Sequence, residues 1–205
     1  MQLIYRHRGL YAVINWLLYG RHHRTRYRVV AELIPRGASV LELCCGPATL
    51  YHSFLRARNV RYTGLDLSPS FINALNQRGG HGILWDLRSE KPLPPADFVI
   101  IQGALCFFLP DPSALIGRML AAASKQIIIA EPIRNLANSS IPLLARVANR
   151  LAGAVDGNHP TRFTEETLDK LVENYPLPLK RSFKIPGGRD KVYVLEKMGA
   201  SSAVE

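Results

Sequence analysis

Three acidic residues fall at regular intervals in the first half of the chain: Glu42, Asp66 and Asp86, 24 and 20 residues apart. They lie in, or end, three short apolar runs, "SVLELC", "VRYTGLDL" and "HGILWDL". Each interval is the length of one strand-helix unit, which would bring the carboxyl groups to a common edge of a parallel sheet. An acid ending a second strand is placed to accept both hydroxyls of a ribose, and one ending a third strand can reach an adenine amino group. The alternative for Asp66 and Asp86 is a turn or a helix cap.

Between the first two acids stands Cys44-Cys45-Gly46-Pro47-Ala48-Thr49-Leu50. A dinucleotide fold wants G-x-G-x-x-G, and one glycine does not make a pyrophosphate cradle; no G-x-x-x-x-G-K-[ST] occurs either. Cys44 and Cys45 with the distant Cys106 do not supply the roughly four ligands of a zinc site, so no metal is expected. Three cysteines are too few for a disulfide framework and suit a reducing compartment. The pair reads as small wall residues beside a glycine turn rather than nucleophiles. Candidate proton acceptors are His22 and His23, in "GRHHRTRY", and His159, just before "TRFTEETL".

The elements that must position these groups follow a clear rhythm from residue 37 onward. "TLYHSFLRAR" has helical spacing, and "SPSFINALNQRG" carries Ser68 at the cap, Pro69 at the first helical position and Gly79 at the end. "DFVIIQG" is a fourth strand, "DPSALIGRMLAAASK" a helix opened by Asp-Pro, and "QIIIAEP" a fifth strand. "FTEETLDKLVENY" is a helix capped by Thr164, after which "KRSFKI" and "KVYVLEK" flank the hairpin signal "PGGRD". Alternating strands and helices predict an α/β fold with helices on both faces of a mostly parallel sheet, closed by an antiparallel C-terminal strand. At 205 residues, 47% hydrophobic and 20% charged, the chain can bury a full core. The expected organisation is a basic amphipathic helical lid over 1–36 and a main domain over 37–205, with a helical insert around 134–160.

"VLELCCGPATL" with "YTGLDLSPSFI" resembles the first two motifs of the class I S-adenosylmethionine-dependent methyltransferases, whose first motif runs roughly apolar-(D/E)-apolar-G-x-G-x-G. "WDL", "ADFVIIQGALCFFL" and "RFTEETL" are similar to that family's later blocks, in order, so the resemblance spans about residues 37–197. It implies a Rossmann-like, seven-stranded sheet and S-adenosylmethionine as cofactor. It also implies roles. Glu42 would orient the glycine loop and the methionine amino end, and Gly46 would let the backbone approach the cofactor. Asp66 would take the ribose hydroxyls and Asp86 the adenine amino group, with Leu67 and Leu87 sandwiching the ring. Gln102 would lie beside the methionine moiety, and Tyr19 and Tyr27 would close over it. Cys44 and Ala48 stand where the family usually has glycine. Related enzymes often place an active-site residue near the position of His159.

Charge points to the acceptor. Of the net +10, residues 1–36 carry +6 and residues 134–162 carry +3. The basic residues of both segments are arginines, which suit carboxylate or phosphate. In such a fold these segments and the end of strand four build the acceptor site. One reading makes them lids with solvated arginines; the sharper one makes them a basic amphipathic face that meets anionic lipid or an anionic, partly apolar substrate. A small or lipid-like acceptor is preferred to RNA, because strand four ends in "QGAL" rather than the [DNS]-P-P-[YF] of base-amino methyltransferases. A non-catalytic cofactor-binding subunit is a third reading. "GLYAVINWLLYG", about a dozen apolar residues, is too short for the roughly twenty that span a bilayer, and "RHHRTRYR" stands where a signal cleavage site would be. A cytoplasmic protein, peripheral at the membrane surface in the sharper reading, is expected.

Overall fold

A computed structural model describes residues 22–133, 162–175 and 178–197. In chain order the elements are α1 (His23–Glu32), β1 (Ser39–Leu43), β2 (Arg61–Asp66), α2 (Pro69–Gln77), β3 (Gly82–Leu84), β4 (Ala96–Gln102), α3 (Ser113–Ala122), β5 (Ala123–Pro132), α4 (Glu165–Glu173), β6 (Leu179–Lys184) and β7 (Asp190–Glu196). Seven strands form one sheet in the order β3-β2-β1-β4-β5-β7-β6. β1 to β5 run parallel, and β7 inserts antiparallel between β5 and β6. This is the mostly parallel, Rossmann-like sheet with an antiparallel C-terminal strand that the sequence predicts. Chain order reverses between β1 and β4, so a crevice opens there at the carboxyl ends of the strands.

Alternation along the strands divides the core between two faces. Leu41, Leu43, Val99, Ile101, Ile127 and Ile129 pack with α3 (Leu115, Ile116, Met119) and α4 (Leu168, Val172). Val40, Phe98, Ile100, Ile128, Val192 and Val194 pack with α1 (Tyr27, Val30, Ala31, Ile34) and α2 (Ile72, Leu75). The C-terminal half of the predicted lid is therefore part of one core layer; Val30 has no exposed surface. Residues 1–21, the expected insert around 134–160, and with them Tyr19 and His159, lie outside the described residues.

Local departures have physical reasons. The stretch predicted helical over 49–58 is instead a widened π-type turn at Tyr51–Leu55 and a 3₁₀ turn at Arg56–Arg58, ended by Asn59 at φ 55°. The widened turn seats the Tyr51 ring on Tyr62, 4.5 Å between centroids and stacked. β3 is short, and the Asn76 side chain holds its first residue through both the N–H (2.7 Å) and the carbonyl (3.2 Å) of Gly82. The helix predicted over 111–125 stops at Ala122, because Ala123 turns extended and pairs with Ala96. Ser68 occupies the cap position of α2, but its hydroxyl makes no capping bond; the Asp66 carboxylate accepts the Ser68 N–H at 2.8 Å.

Thr164 caps α4 as predicted. Its hydroxyl accepts the Thr167 N–H at 3.2 Å, while the Thr167 hydroxyl accepts the Thr164 N–H at 2.9 Å, a reciprocal box built from two threonines. Thr164→Ala is expected to lower unfolding free energy by about 1 kcal/mol in urea titration, with Thr164→Ser recovering most of it. Equal loss in both variants would show that the hydroxyl does not cap the helix.

Candidate functional site

The loop after β1 lies at the mouth of the crevice. Its backbone enters the left-handed region at every second residue: Cys44 at φ 52°, Gly46 at φ 52° and Ala48 at φ 50°. These are the positions where the resembled motif has glycine. The conformation is kept although two residues carry a Cβ, at a cost on the order of 1 kcal/mol each. Both side chains pack against a core layer. Ala48 is fully buried in the layer of α1, and Cys44 packs against the opposite layer. The Ala48 methyl therefore fills core, while Cys44, Pro47 and Thr49 stay partly exposed along the loop. All three thiols are held protonated by burial, that of Cys106 pushed up to about 12. They are wall residues.

Asp66 organises the loop. One carboxylate oxygen accepts the Gly46 N–H at 2.8 Å and the other accepts that of Ser68 at 2.8 Å. Burial raises its pKa, and the N–H groups of Ser68, Gly46 and Leu67 oppose the rise. Beside it Leu67 is an exposed leucine, at 45%. Of the two sequence readings of Asp66, the capping one is seen directly: one carboxylate holds the start of α2 and ties the loop.

Glu42 lies beneath the loop, where the Tyr62 hydroxyl donates to it at 2.5 Å. Burial pushes its pKa to about 8; Tyr62 lowers it and the Asp66 charge raises it. Asp86 is exposed and accepts the Arg88 N–H at 2.9 Å, the turn-forming role. Leu87 points into the core at 4% exposure, unlike Leu67, so the structure does not set the two leucines as a matched pair.

On the other side of the crevice, Gln102 at the end of β4 donates to the Arg26 carbonyl at 3.1 Å, and its buried Oε1 has no partner among the described residues. Tyr27 is buried, its hydroxyl bonded to the Thr49 side chain of the loop. His23 packs edge-on against Tyr27, with ring centroids 5.5 Å apart. Burial, then Arg26 and Arg24, lower its pKa. His22 stands against the β6–β7 hairpin, its ring 3.2 Å from the Cβ position of Gly187.

Several residues escaped the sequence reading. Arg26 was expected in solvent or facing an anionic partner; it is buried and pairs with Asp190 at 3.2 Å. Its guanidinium occupies the space a Cβ at Gly103 would fill, 2.8 Å away, so glycine is required there. Glu131, at the end of β5, has no exposed surface and accepts the N–H groups of Ala104 and Leu105, both at 2.7 Å. Burial pushes its pKa to about 7 against those two bonds and the charges of Arg26 and Arg162. An acid inside the apolar run "QIIIAEP" was the available signal for Glu131. Nothing distinguished Arg26 among its neighbouring arginines.

Comparison with known proteins agrees with this geometry. The family model described as methionine biosynthesis protein MetW matches residues 24–138. Trans-aconitate 2-methyltransferase of Mycobacterium tuberculosis is 33% identical over 105 residues, 48% of this chain and 38% of that protein. The chain thus spans well under half the length of that relative. Among solved structures, magnesium protoporphyrin IX methyltransferase (ChlM) from Synechocystis PCC 6803, with S-adenosylhomocysteine bound, superposes with a TM-score of 0.65 at 16% identity, covering 91% of this chain and 94% of that one. A TehB-like S-adenosylmethionine-dependent methyltransferase from Corynebacterium glutamicum gives 0.63 at 16% identity over 92% and 96%. The fold is that of the S-adenosylmethionine-dependent methyltransferases.

Glu42 generates a pH prediction. Its folded pKa lies above the ordinary 4.5, so between about 4.5 and 8 the folded state holds a proton that the unfolded state releases. Its contribution is present at low pH and falls as pH rises, by at most about 1.4 kcal/mol per pH unit. Unfolding free energy measured from pH 5.5 to 8.5 should therefore decline less steeply in Glu42→Gln than in wild type. Parallel curves would place the carboxyl in a more polar setting than the one described.

Proposed function

The chain belongs to the MetW family, whose model matches more than half of it, and we propose that it transfers the methyl group of S-adenosylmethionine to a small-molecule or lipid-like acceptor. The observation that carries this reading is the carboxylate of Asp66 holding a loop with three alternate left-handed residues. The small side chains of Cys44 and Ala48 pack against the two core layers, and the loop keeps its alternating left-handed course without glycine at those positions. A carboxylate has about four lone-pair directions, so Asp66 can accept ribose hydroxyls while keeping Gly46 and Ser68. Exposed Leu67 offers the adenine ring an apolar surface, and Asp86 lies beyond β3 for its amino group. Gln102, with an acceptor oxygen to spare, and Tyr27 border the methionine end, while Glu42 supports the loop from below through Tyr62.

The bound cofactor supplies an electrophilic methyl group on a sulfonium; the chain's task is to position the acceptor and take up its proton. Of the histidines His22, His23 and His159, the first two are described. The surroundings of His23 keep its imidazole neutral and able to accept a proton. Relatives named for trans-aconitate and magnesium protoporphyrin IX support a small-molecule acceptor over RNA. Burial of Arg26 with Asp190 also removes one arginine from any basic surface. No helix among the described residues is long and apolar enough to cross a membrane. Peripheral contact of the basic N-terminal segment with anionic lipid belongs to the lipid-like version of this proposal.

Calorimetric titration of S-adenosylmethionine and S-adenosylhomocysteine tests the reading. Wild type should bind both, and Asp66→Asn should bind roughly 10- to 150-fold more weakly, the equivalent of the 1.5–3 kcal/mol typical of hydrogen bonds to a charged group. Absence of binding by folded wild type would reduce the reading to fold alone. Unchanged affinity in a folded Asp66→Asn would remove Asp66 from the site.

A further inference from the structure

Arg162 precedes α4 and is half-buried, and it makes no ion pair among the described residues. One hydrogen bond anchors it: Nη1 donates to the Cys106 Sγ at 3.4 Å. A thiol is a weak acceptor, and a guanidinium has five N–H donors in a rigid fork, so among the described residues most of its donors meet no protein acceptor. Cys106 belongs to the turn after β4 whose two preceding N–H groups, Ala104 and Leu105, are held by one oxygen of Glu131. The other oxygen, Oε2, is buried and has no partner among the described residues. Arg162 is near enough for its charge to act on both Glu131 and Cys106. Cys106 belongs to the core layer against which Cys44 of the glycine loop packs, so the group borders the proposed cofactor loop.

We propose that Arg162, aligned by the Cys106 thiol and the turn that Glu131 holds, binds a carboxylate of the methyl acceptor. This rests on the methyltransferase reading above and adds the substrate class to it. The fork of a guanidinium matches a carboxylate in two parallel bonds, and partial burial strengthens such a pair relative to one in water. One positive charge balances one carboxylate. A phosphate dianion would leave a negative charge next to Glu131, which carries its own charge whenever it ionises. Glu131 is a positioning residue here: its exposed surface is nil, and it acts through the backbone of residues 104 and 105.

The test separates this subsite from the cofactor site. Succinate, trans-aconitate, octanoate and inorganic phosphate are titrated into wild type, Arg162→Gln and Arg162→Lys, each with saturating S-adenosylhomocysteine, after thermal midpoints confirm folding. At least one carboxylate should bind wild type, with phosphate weaker. That affinity should fall at least tenfold in Arg162→Gln and by a smaller factor in Arg162→Lys, which keeps charge but loses the fork, while S-adenosylhomocysteine affinity stays within twofold in all three. Succinate or trans-aconitate as the bound probe would indicate a compact polar acceptor, and octanoate a lipid-like one. No carboxylate binding by wild type, phosphate binding more tightly, or equal affinity in Arg162→Gln would overturn the proposal. Failure of S-adenosylhomocysteine to bind wild type would instead remove the methyltransferase reading, and the same carboxylate titrations without it would then judge Arg162 alone.

Discussion

A single carboxylate at the end of β2 sets the geometry of the whole edge. Asp66 accepts one N–H from the loop after β1 and one from the start of α2, both at 2.8 Å. Without it the Gly46 N–H would lack its acceptor, and the first turn of α2 would keep an orphan donor, since Ser68 does not cap through its own hydroxyl. Three backbone N–H groups partly offset the cost of burying its charge. A carboxylate so placed is already oriented for further donors.

The loop it holds shows how a conformation can outlast the residue type that favours it. Left-handed backbone at Cys44 and Ala48 persists because the β1–β2 pairing, the Asp66 bond and two apolar layers over-determine it. A small side chain packed against a core layer gains contacts that offset part of its strain. Substitution of glycine is tolerable where the Cβ finds core and not where it would meet a neighbour, as at Gly103 beneath Arg26.

On the far side of the crevice the constraint is electrostatic. Arg26 and Asp190 are 4% and 3% exposed, and a buried charge of either sign alone would cost several kcal/mol. Their pairing joins α1 to the start of β7, while Gln102 holds the Arg26 carbonyl and Tyr27 reaches Thr49. The helix is thereby fastened to β4, β7 and the glycine loop together. Glu131 performs a similar service for the turn at 104–105.

Local information in the chain determined much of this. Alternating strand and helix patterns set the sheet and its final reversed strand, because a residue's hydrophobic period depends on its own element. The spacing of the acids placed Glu42 in β1 and Asp66 at the end of β2, whereas Asp86, expected to end β3, lies past that strand's last residue, Leu84, in a turn. Pro69 and Thr164 marked helix starts through effects that span only a few residues. Other features depend on partners remote in sequence, and only the tertiary structure decided them. Arg26 differs from Arg24 and Arg28 solely because Asp190, 164 residues away, meets it in the core. Leu67 is exposed and Leu87 buried although both follow an acid, because Asp66 ends β2 while Asp86 lies past the end of β3, where Leu87 packs into the core. Glu131 stands out as an acid in an apolar strand, but its task is set only where the turn after β4 brings it two donors. Side-chain burial and pairing are properties of the assembled layers, whereas strand, helix and cap are written in short stretches of chain.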